Sequence, residues 1–188
     1  AFCVGDDNYG GGYLLAGHLI RNGHRTIAGI FKSDDAQGPE RYHGVVCAMR
    51  DAGLFPLDEN FLWFSSFQRH QLVELQDEEL LRAFLRQQLG GCTAVVCYND
   101  EIAFHLIRTL LRAGKRVPDD ISIIGYDGLK IGSFYTPKLS TVCQSVELLA
   151  RRSFMVLMDC TEHGGPARHL TVPFTLSNRE SVRKLESD

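Results

Sequence analysis

The stretch TAVVCYNDEIAFHLIRTLLRAGKRVPDDISIIGYD, residues 93–127, decides the fold. Residues 93–98 form a short apolar run rich in β-branched side chains, which predicts a buried strand. Apolar residues then recur at helical spacing over residues 102–111, and Gly114 ends that helix. A second apolar strand is predicted over residues 121–126. The pattern is typical of a right-handed βαβ unit with parallel strands.

Polar residues stand directly after both strands of this unit. Asn99 follows the first strand and Asp127 follows the second. Ligands of open parallel sheets bind just beyond the carboxyl ends of the strands, so these residues are candidates for a small-molecule site. Each also has a structural interpretation, because Asn99 is a good helix N-cap and Asp127 can be an ordinary loop carboxylate.

Strand and helix patterns alternate along the rest of the chain. Further strands are predicted over residues 2–4, 26–31, 61–64, 139–142 and 169–176, and helices over residues 13–22, 39–52, 77–89 and 146–160. This alternation predicts an α/β fold built on a doubly wound parallel sheet. Gly164, Gly165 and Pro166 break the chain and are a candidate crossing between two lobes. The polar tail, residues 178–188, is expected to fray.

Composition excludes several classes of function. The chain has 188 residues with 44% hydrophobic and 23% charged content, as expected of a soluble globular protein. A net charge of −3 without a basic block argues against nucleic-acid binding by this chain itself. No apolar run approaches the roughly 20 residues of a membrane span. None of the six cysteines is in a C-x-x-C pair, which favours reduced, buried thiols in the cytoplasm over a metal site.

No catalytic or nucleotide-binding motif is complete. The run Gly10, Gly11 and Gly12 follows a predicted strand, but Leu15 replaces the third glycine of a dinucleotide fingerprint. A phosphate loop with Gly-Lys-Ser/Thr is absent, as are G-x-S-x-G and H-E-x-x-H. The glycines are therefore interpreted as a permissive loop before a helix.

Arg41 is the charged residue of greatest interest outside the βαβ unit. It lies just inside a predicted helix, after the polar loop KSDDAQGP of residues 32–39. A guanidinium can be a solvated surface group, or it can offer a forked set of donors to hydroxyls or a carboxylate. Asn99 and Asp127 lie at neighbouring strand ends, and the three residues together predict a polar crevice at one edge of the sheet.

With these motifs in place, the chain resembles the effector-binding core of the lactose/galactose-repressor family, which shares its fold with periplasmic sugar-binding proteins. The similar segments, in the family's order, are VGDDNYGGG, HLIRNGHRTIAGI, QGPERYHGV, YNDEIA, VPDDISIIGYD, LSTV and SNRES. They cover nearly the whole chain. The segments IFKSDDAQGPERYHGV, LFP and CYNDEIA look most like the arabinose-repressor branch, in which a winged-helix DNA-binding head precedes the core. One departure is Val45 after Gly44, where the family has Phe.

The resemblance implies a set of ligand-binding residues. The positions that match the family's sugar contacts, or lie beside them, are Arg41, Gln37, Asp35, Phe64, Asn99, Asp127 and Gln144. Carboxylates would accept hydrogen bonds from sugar hydroxyls, Arg and Asn would donate to them, and Phe64 would cover an apolar face of the sugar. The resemblance implies no catalytic residue, metal or cofactor.

The resemblance also implies a two-lobed core that the chain crosses three times. We expect residues 1–143 to form the C-terminal lobe and residues 144–164 to be a helix of an N-terminal lobe. Residues 165–182 would return to the C-terminal lobe, and residues 183–188 would be a tail. Because the helix is apolar on more than one side, we expect part of it to be exposed.

The leading hypothesis is a fragment of a cytoplasmic, sugar-responsive repressor, not an enzyme, with L-arabinose or a similar sugar as effector. Its partners would be that sugar, DNA through a head outside this chain, and a second copy in a homodimer, with no membrane. A periplasmic solute-binding protein of a transporter and a nucleotide-using α/β enzyme are the alternatives.

Overall fold

A computed structural model describes residues 3–163 and 169–186 of the chain. Its strands are β1 (Cys3–Asp6), β2 (Ile27–Lys32), β3 (Phe61–Phe64), β4 (Ala94–Cys97), β5 (Ser122–Asp127), β6 (Ser140–Gln144), β7 (His169–Val172) and β8 (Phe174–Ser177). Its α-helices are α1 (Asn8–Arg21), α2 (Gln37–Asp51), α3 (Ser66–Val73), α4 (Glu79–Gln87), α5 (Asp100–Arg112) and α6 (Val146–His163). Short 3-10 turns lie at Asp58–Asn60 and Lys130–Ser133. The predicted α/β class is confirmed.

Six strands form the main sheet in the order β3-β2-β4-β5-β6-β8. Every neighbouring pair is parallel except β6 and β8, which are antiparallel. The crossover from β2 leads outward to β3, whereas the crossover from β4 leads the other way to β5. The boundary between β2 and β4 is therefore the topological switch point, where ligands of such sheets bind.

The two faces of the main sheet carry separate hydrophobic cores, which confirms the doubly wound arrangement. In β4, Val95 and Cys97 point into the core under α3, α4 and α5, where Leu106 of α5 is fully buried. Ala94 and Val96 point into the opposite core under α1 and α2. Strand β4 is buried on both faces, so its sequence is a continuous apolar run.

A second, two-stranded sheet pairs β1 with β7 in parallel. Helix α6 packs against β1 and keeps much of its apolar surface exposed, as expected for a helix with so small a sheet beneath it. Its exposed apolar residues are Val146, Phe154, Met155, Leu157 and Met158. The structure thus groups β1 with α6 and β7, whereas the sequence analysis assigned β1 to the C-terminal lobe together with the main sheet.

The last predicted strand, residues 169–176, is two strands. Pro173 separates β7 from β8, and proline cannot donate to a sheet ladder, so the two halves join different sheets. The predicted break at Gly164, Gly165 and Pro166 lies outside the described residues.

The glycine run Gly10, Gly11 and Gly12 lies inside the first turns of α1, so the predicted loop before the helix is wrong. A Cβ on Gly12 would overlap the carbonyl oxygen of Arg41, and a Cβ on Gly44 would overlap that of Tyr9. Gly12 and Gly44 therefore let α1 and α2 approach closely. Because the glycine run is helical, it does not form a phosphate-binding loop.

The polar tail is bound to the main sheet over its described part, which corrects the expectation that it frays. Ser181 is fully buried, and its hydroxyl donates to the carbonyl of Ile123 at 2.6 Å and accepts from the Ser140 amide at 2.8 Å. Further along, the Leu185 amide donates to the carbonyl of Asn22 at 2.8 Å. A polar composition does not reveal such long-range hydrogen bonds.

Helix α3 was not predicted, and the helix predicted over residues 77–89 is shorter, as α4. The start of α3 has a capping box, in which Ser65 and Gln68 each bond the other's backbone amide. The Ser-x-x-Gln pattern of residues 65–68 is a capping-box motif and could have predicted the start of this helix. No helix within residues 3–163 and 169–186 is long and apolar enough to cross a membrane.

The described cysteine side chains are free thiols: Cys47, Cys92, Cys97, Cys143 and Cys160. Cys92 and Cys97 are buried, as predicted, and burial raises the pKa of the Cys97 thiol. The other three are only partly buried.

Candidate functional site

Arg41 of α2 lies at the switch point, because α2 begins just after β2 and reaches across to the end of β4. Its side chain is 3% exposed. Its Nη1 donates to the carbonyl of Tyr98 at 2.6 Å, and its Nε donates to Oδ1 of Asn8 at 3.0 Å. The Asn8 amide in turn donates to Glu40 Oε2 at 2.9 Å. Helices α1 and α2 therefore fix the orientation of the guanidinium.

Asp127 faces Arg41 from the end of β5, so the predicted convergence of these two residues at one edge of the sheet is observed. Nη2 of Arg41 lies 3.7 Å from Oδ1 of Asp127. The guanidinium carbon also lies 3.6 Å from the ring centroid of Tyr126 and 4.9 Å from that of Tyr98. Cation–π attraction to these two rings therefore holds the guanidinium in place without a close ion pair to Asp127.

The carboxyl group of Asp127 is electrostatically perturbed. Burial raises its pKa to about 6, against the opposing effect of Arg41, and the charges of Asp6 and Glu101 raise it further. The side chain still exposes 37% of its surface, so a ligand can reach it. A carboxyl group with this pKa is ionised at neutral pH and can accept hydrogen bonds from hydroxyl groups.

Asp35 and Gln37 are connected to Arg41 through Tyr98, which contacts all three residues. The Tyr98 hydroxyl donates to Asp35 Oδ2 at 2.6 Å and lies 3.0 Å from Gln37 Oε1. Burial opposes ionisation of Asp35, but the bonds from Tyr98 and the Gly38 amide, with Lys32 3.3 Å away, hold its pKa below the usual value. The structure therefore places both residues at the same edge of the sheet as Arg41.

Phe64 and Asn99 have structural roles in this arrangement. Phe64 is 1% exposed and packs edge-on against the Tyr98 ring, with centroids 5.7 Å apart. The Asn99 side chain caps α5 by accepting from the Ile102 amide at 3.0 Å. Both lie near the switch point, and their predicted ligand contacts stay predictions.

Three buried polar atoms around the Arg41–Asp127 pair form no hydrogen bond of good geometry. They are Oδ1 of Asp6, the hydroxyl of Tyr126 and Nε2 of Gln144. The Gln144 amide and the Tyr126 hydroxyl interact with each other as a weak hydrogen-bonded pair, and the charge of Asp6 acts on Tyr126 and Asp127 alike. Buried polar groups are almost always paired, so the unpaired Asp6 oxygen, beside a hydroxyl and an amide that bond only poorly to each other, favours a site that a polar molecule can occupy.

Asp6, Asn8 and Tyr126 were missed as site residues from the sequence. Asp6 ends β1, so the strand-end argument used for Asn99 and Asp127 would have found it. The position of Asn8 depends on the close packing of α1 on α2, which no local pattern displays. No group of His, Cys, Asp or Glu within the described ranges is arranged to hold a metal ion.

The parallel sheet, with polar residues at its switch point, is the architecture of a periplasmic-binding-protein-like domain. A family model described as a periplasmic binding protein-like domain matches residues 16–182, and the chain belongs to that family. The proteins similar to it include transcriptional repressors and a LacI family transcriptional regulator.

Two curated relatives illustrate this similarity. The chain is 40% identical over 141 residues to the "Arabinose metabolism transcriptional repressor" of Geobacillus stearothermophilus, covering 74% of this chain and 38% of the relative. It is 36% identical over 155 residues to the "HTH-type transcriptional repressor PurR" of Actinobacillus pleuropneumoniae, covering 82% of this chain and 44% of the relative. The chain thus spans less than half the length of either relative.

A solved structure supports the same assignment. A LacI family transcriptional regulator from Enterococcus faecium with bound ribose superimposes with a TM-score of 0.78 at 29% identity. The match covers 99% of this chain and 67% of that one.

Proposed function

We propose that this chain is the effector-binding part of a cytoplasmic bacterial transcriptional repressor, and that its effector is a sugar, with L-arabinose the first candidate. The convergence of the buried Arg41 guanidinium and the reachable Asp127 carboxylate, with the unpaired Asp6 oxygen beside them, carries the proposal. A pentose presents several hydroxyls, each a donor and an acceptor, which suits a site that mixes carboxylates, a guanidinium and an amide.

The relatives favour a sugar without fixing which one. The arabinose repressor of Geobacillus stearothermophilus and the ribose-bound regulator of Enterococcus faecium point to a pentose. The relative named PurR matches the chain at similar identity, so arabinose rests on the site chemistry and on the arabinose-repressor likeness together.

The site would be completed by a second lobe. Residues 1–143 would then be the C-terminal lobe, residues 144–164 a helix of the N-terminal lobe, and residues 165–182 the return. The exposed apolar residues of α6 support the assignment of this helix to a second lobe. Strands β1 and β7 pair with each other outside the main sheet, which favours assigning both to the N-terminal lobe and beginning the return at β8.

Effector binding between two lobes favours the arrangement in which both lobes contact the sugar. A sugar can shift this equilibrium only by its difference in affinity for the two arrangements. In the proposed repressor, that difference would change the DNA affinity of a head outside this chain, within a homodimer.

The experiment is calorimetric titration of the full-length protein with L-arabinose, D-ribose, D-galactose and a nucleobase. Arg41→Ala and Asp127→Ala are compared with Asp119→Ala, whose carboxylate pairs with Arg116 away from the site. Hydrogen bonds to charged groups contribute about 1.5–3 kcal/mol, so each site variant should weaken sugar binding by about 10- to 100-fold. Unchanged sugar affinity in both site variants would contradict the proposed site.

A solute-binding protein of a transporter is the second candidate, favoured by the domain family itself. A sequence-specific DNA mobility shift that responds to the bound sugar separates the two, because a transport component has no reason to bind DNA.

A further inference from the structure

The turn after β5 holds the Asp127 carboxylate in place through an unusual backbone conformation. Asp127 has φ of +101° and Gly128 has φ of +69°. Glycine adopts this region freely, but a non-glycine residue there costs about 1–3 kcal/mol and persists only where its surroundings enforce it. Some neighbouring group must therefore hold the turn.

Asp100, the first residue of α5, is that neighbour. It is fully buried, and its Oδ2 accepts a 2.7 Å hydrogen bond from the Leu129 amide. Its Oδ1 accepts a 2.6 Å hydrogen bond from the hydroxyl of Thr141 on β6. The Thr141 oxygen in turn accepts from the Gly128 amide at 3.2 Å. The two amides that follow Asp127 are thus both tied, directly or through one hydroxyl, to a single carboxylate.

The sequence makes room for this carboxylate. A Cβ on Gly125 of β5 would overlap Oδ1 of Asp100, so glycine at that position allows α5 to approach the strand. Burial raises the pKa of Asp100 to about 6, and the bonds from Thr141 and the Leu129 amide oppose that rise. The carboxyl group is ionised at neutral pH, when both oxygens act as acceptors and the hydrogen bonds are charge-assisted.

We propose that Asp100 and Thr141 are positioning residues for the effector site, because they hold the turn at Asp127–Leu129 so that the Asp127 carboxylate faces Arg41. Neither residue contacts the effector. This inference rests on the proposed function, since it concerns how the same site is held in binding geometry. Binding constellations tolerate displacements of only about 0.5 Å, so release of the turn should weaken binding.

Thr141 offers the cleaner test, because Asp100→Ala can unfold the domain. Thr141→Val keeps the shape of the side chain and removes the hydroxyl, while Thr141→Ser keeps the hydroxyl and is the matched control. Both are made in the full-length protein, alone and combined with Asp127→Ala, and titrated with L-arabinose. Amide hydrogen exchange at Gly128 and Leu129 is measured without ligand, with Ile123 as the reference amide.

The inference predicts that Thr141→Val weakens L-arabinose binding by about 10-fold and that Thr141→Ser stays within about 3-fold of wild type. In the Asp127→Ala background, Thr141→Val should have no further effect, because it acts through Asp127. Exchange should rise at Gly128 and Leu129 but not at Ile123.

Wild-type affinity in Thr141→Val, an equal loss in both backgrounds, or unchanged exchange at Gly128 and Leu129 would overturn the inference. If no sugar of the panel binds, or if Arg41→Ala and Asp127→Ala both leave binding intact, the proposed function fails and the positioning role fails with it, whereas intact binding in Asp127→Ala alone overturns only the positioning role. A loss in Asp127→Ala without a loss in Thr141→Val leaves the proposed function standing and overturns only the positioning role.

Discussion

The molecule contains two buried clusters of arginine and carboxylate side chains that differ in how closely the opposite charges approach. Glu78 has a side chain that is 1% exposed, and it accepts hydrogen bonds from Arg108 and Arg112, each at 2.7 Å. Arg41 is equally buried, yet its carboxylate partner Asp127 is held 3.7 Å away and is partly exposed. In the first cluster the arginines contact a carboxylate that solvent barely reaches, whereas in the second the carboxylate stands apart from the guanidinium and is open to a ligand, although each cluster contains a buried polar atom without a hydrogen bond. We infer that the first stabilises the helix packing and the second binds a ligand.

The largest expected effect on stability comes from the Glu78 cluster. Glu78→Gln removes the anion shared by Arg82, Arg108 and Arg112, which are 53%, 32% and 61% exposed. Removing one partner of a buried pair costs about 3–5 kcal/mol, and the exposure of these arginines reduces the expected loss to about 2–3 kcal/mol. Urea unfolding of the full-length protein measures it.

The matched control is Glu79→Gln, because Glu79 forms an exposed pair with Arg86 at 2.6 Å. Exposed pairs contribute little, so this variant should stay within about 1 kcal/mol of wild type. Equal losses in Glu78→Gln and Glu79→Gln would remove the distinction between buried and exposed pairs here.

Arg41→Lys addresses the site cluster. Lysine keeps the charge but loses the planar fork that reaches Tyr98 and Asn8 together. Sugar affinity should fall by about 10- to 100-fold, equivalent to about 1.5–3 kcal/mol, while circular dichroism stays native. Arg116→Lys, at a side chain 69% exposed, is the control and should bind normally. Full affinity in Arg41→Lys would mean that the fork does not contact the ligand.

The smallest expected effect is the pH dependence caused by Asp127. Its pKa is about 6 in the folded protein against an ordinary value of 3.8, so between these values the folded state holds a proton that the unfolded state has lost. The free energy of unfolding therefore falls as pH rises from about 4 to about 6. A fully buried group would contribute about 3 kcal/mol, and screening of a carboxylate that is 37% exposed reduces this to about 1 kcal/mol.

Asp127→Asn isolates that contribution, because asparagine does not titrate. The stability of the variant relative to wild type should rise by about 1 kcal/mol between pH 4 and pH 6, measured by urea unfolding at each pH. Asp100, whose pKa is also raised to about 6, titrates in both proteins and largely cancels. Parallel stability curves for wild type and variant would show that the pKa of Asp127 is not raised.

The sequence predicted the parts of the site that depend on local pattern. Asn99 and Asp127 were proposed because they end apolar runs and strand ends of a parallel sheet share one edge, and the structure brings Asp127 to Arg41 while Asn99 caps α5. Arg41 was found because it follows a polar loop at the start of a helix. These residues needed only the order of strands and helices, which alternating hydrophobic patterns display.

The remaining features depend on contacts between distant segments. Asp6 belongs to β1, which pairs with β7 more than 160 residues later, and β1 carries no mark of this partner. Phe64 was predicted as a sugar contact from the family resemblance, and its burial behind Tyr98 depends on how β3 packs under α3 and α4. Ser181 lies in a polar tail and is buried because the strand-edge amides of β5 and β6 need partners.

A crystal structure of the full-length protein with L-arabinose bound tests the central claim most directly. We predict sugar hydroxyls within about 2.6–3.2 Å of both the Arg41 guanidinium and the Asp127 carboxylate. A sugar bound elsewhere, with neither of these side chains in contact with it, would contradict the claim.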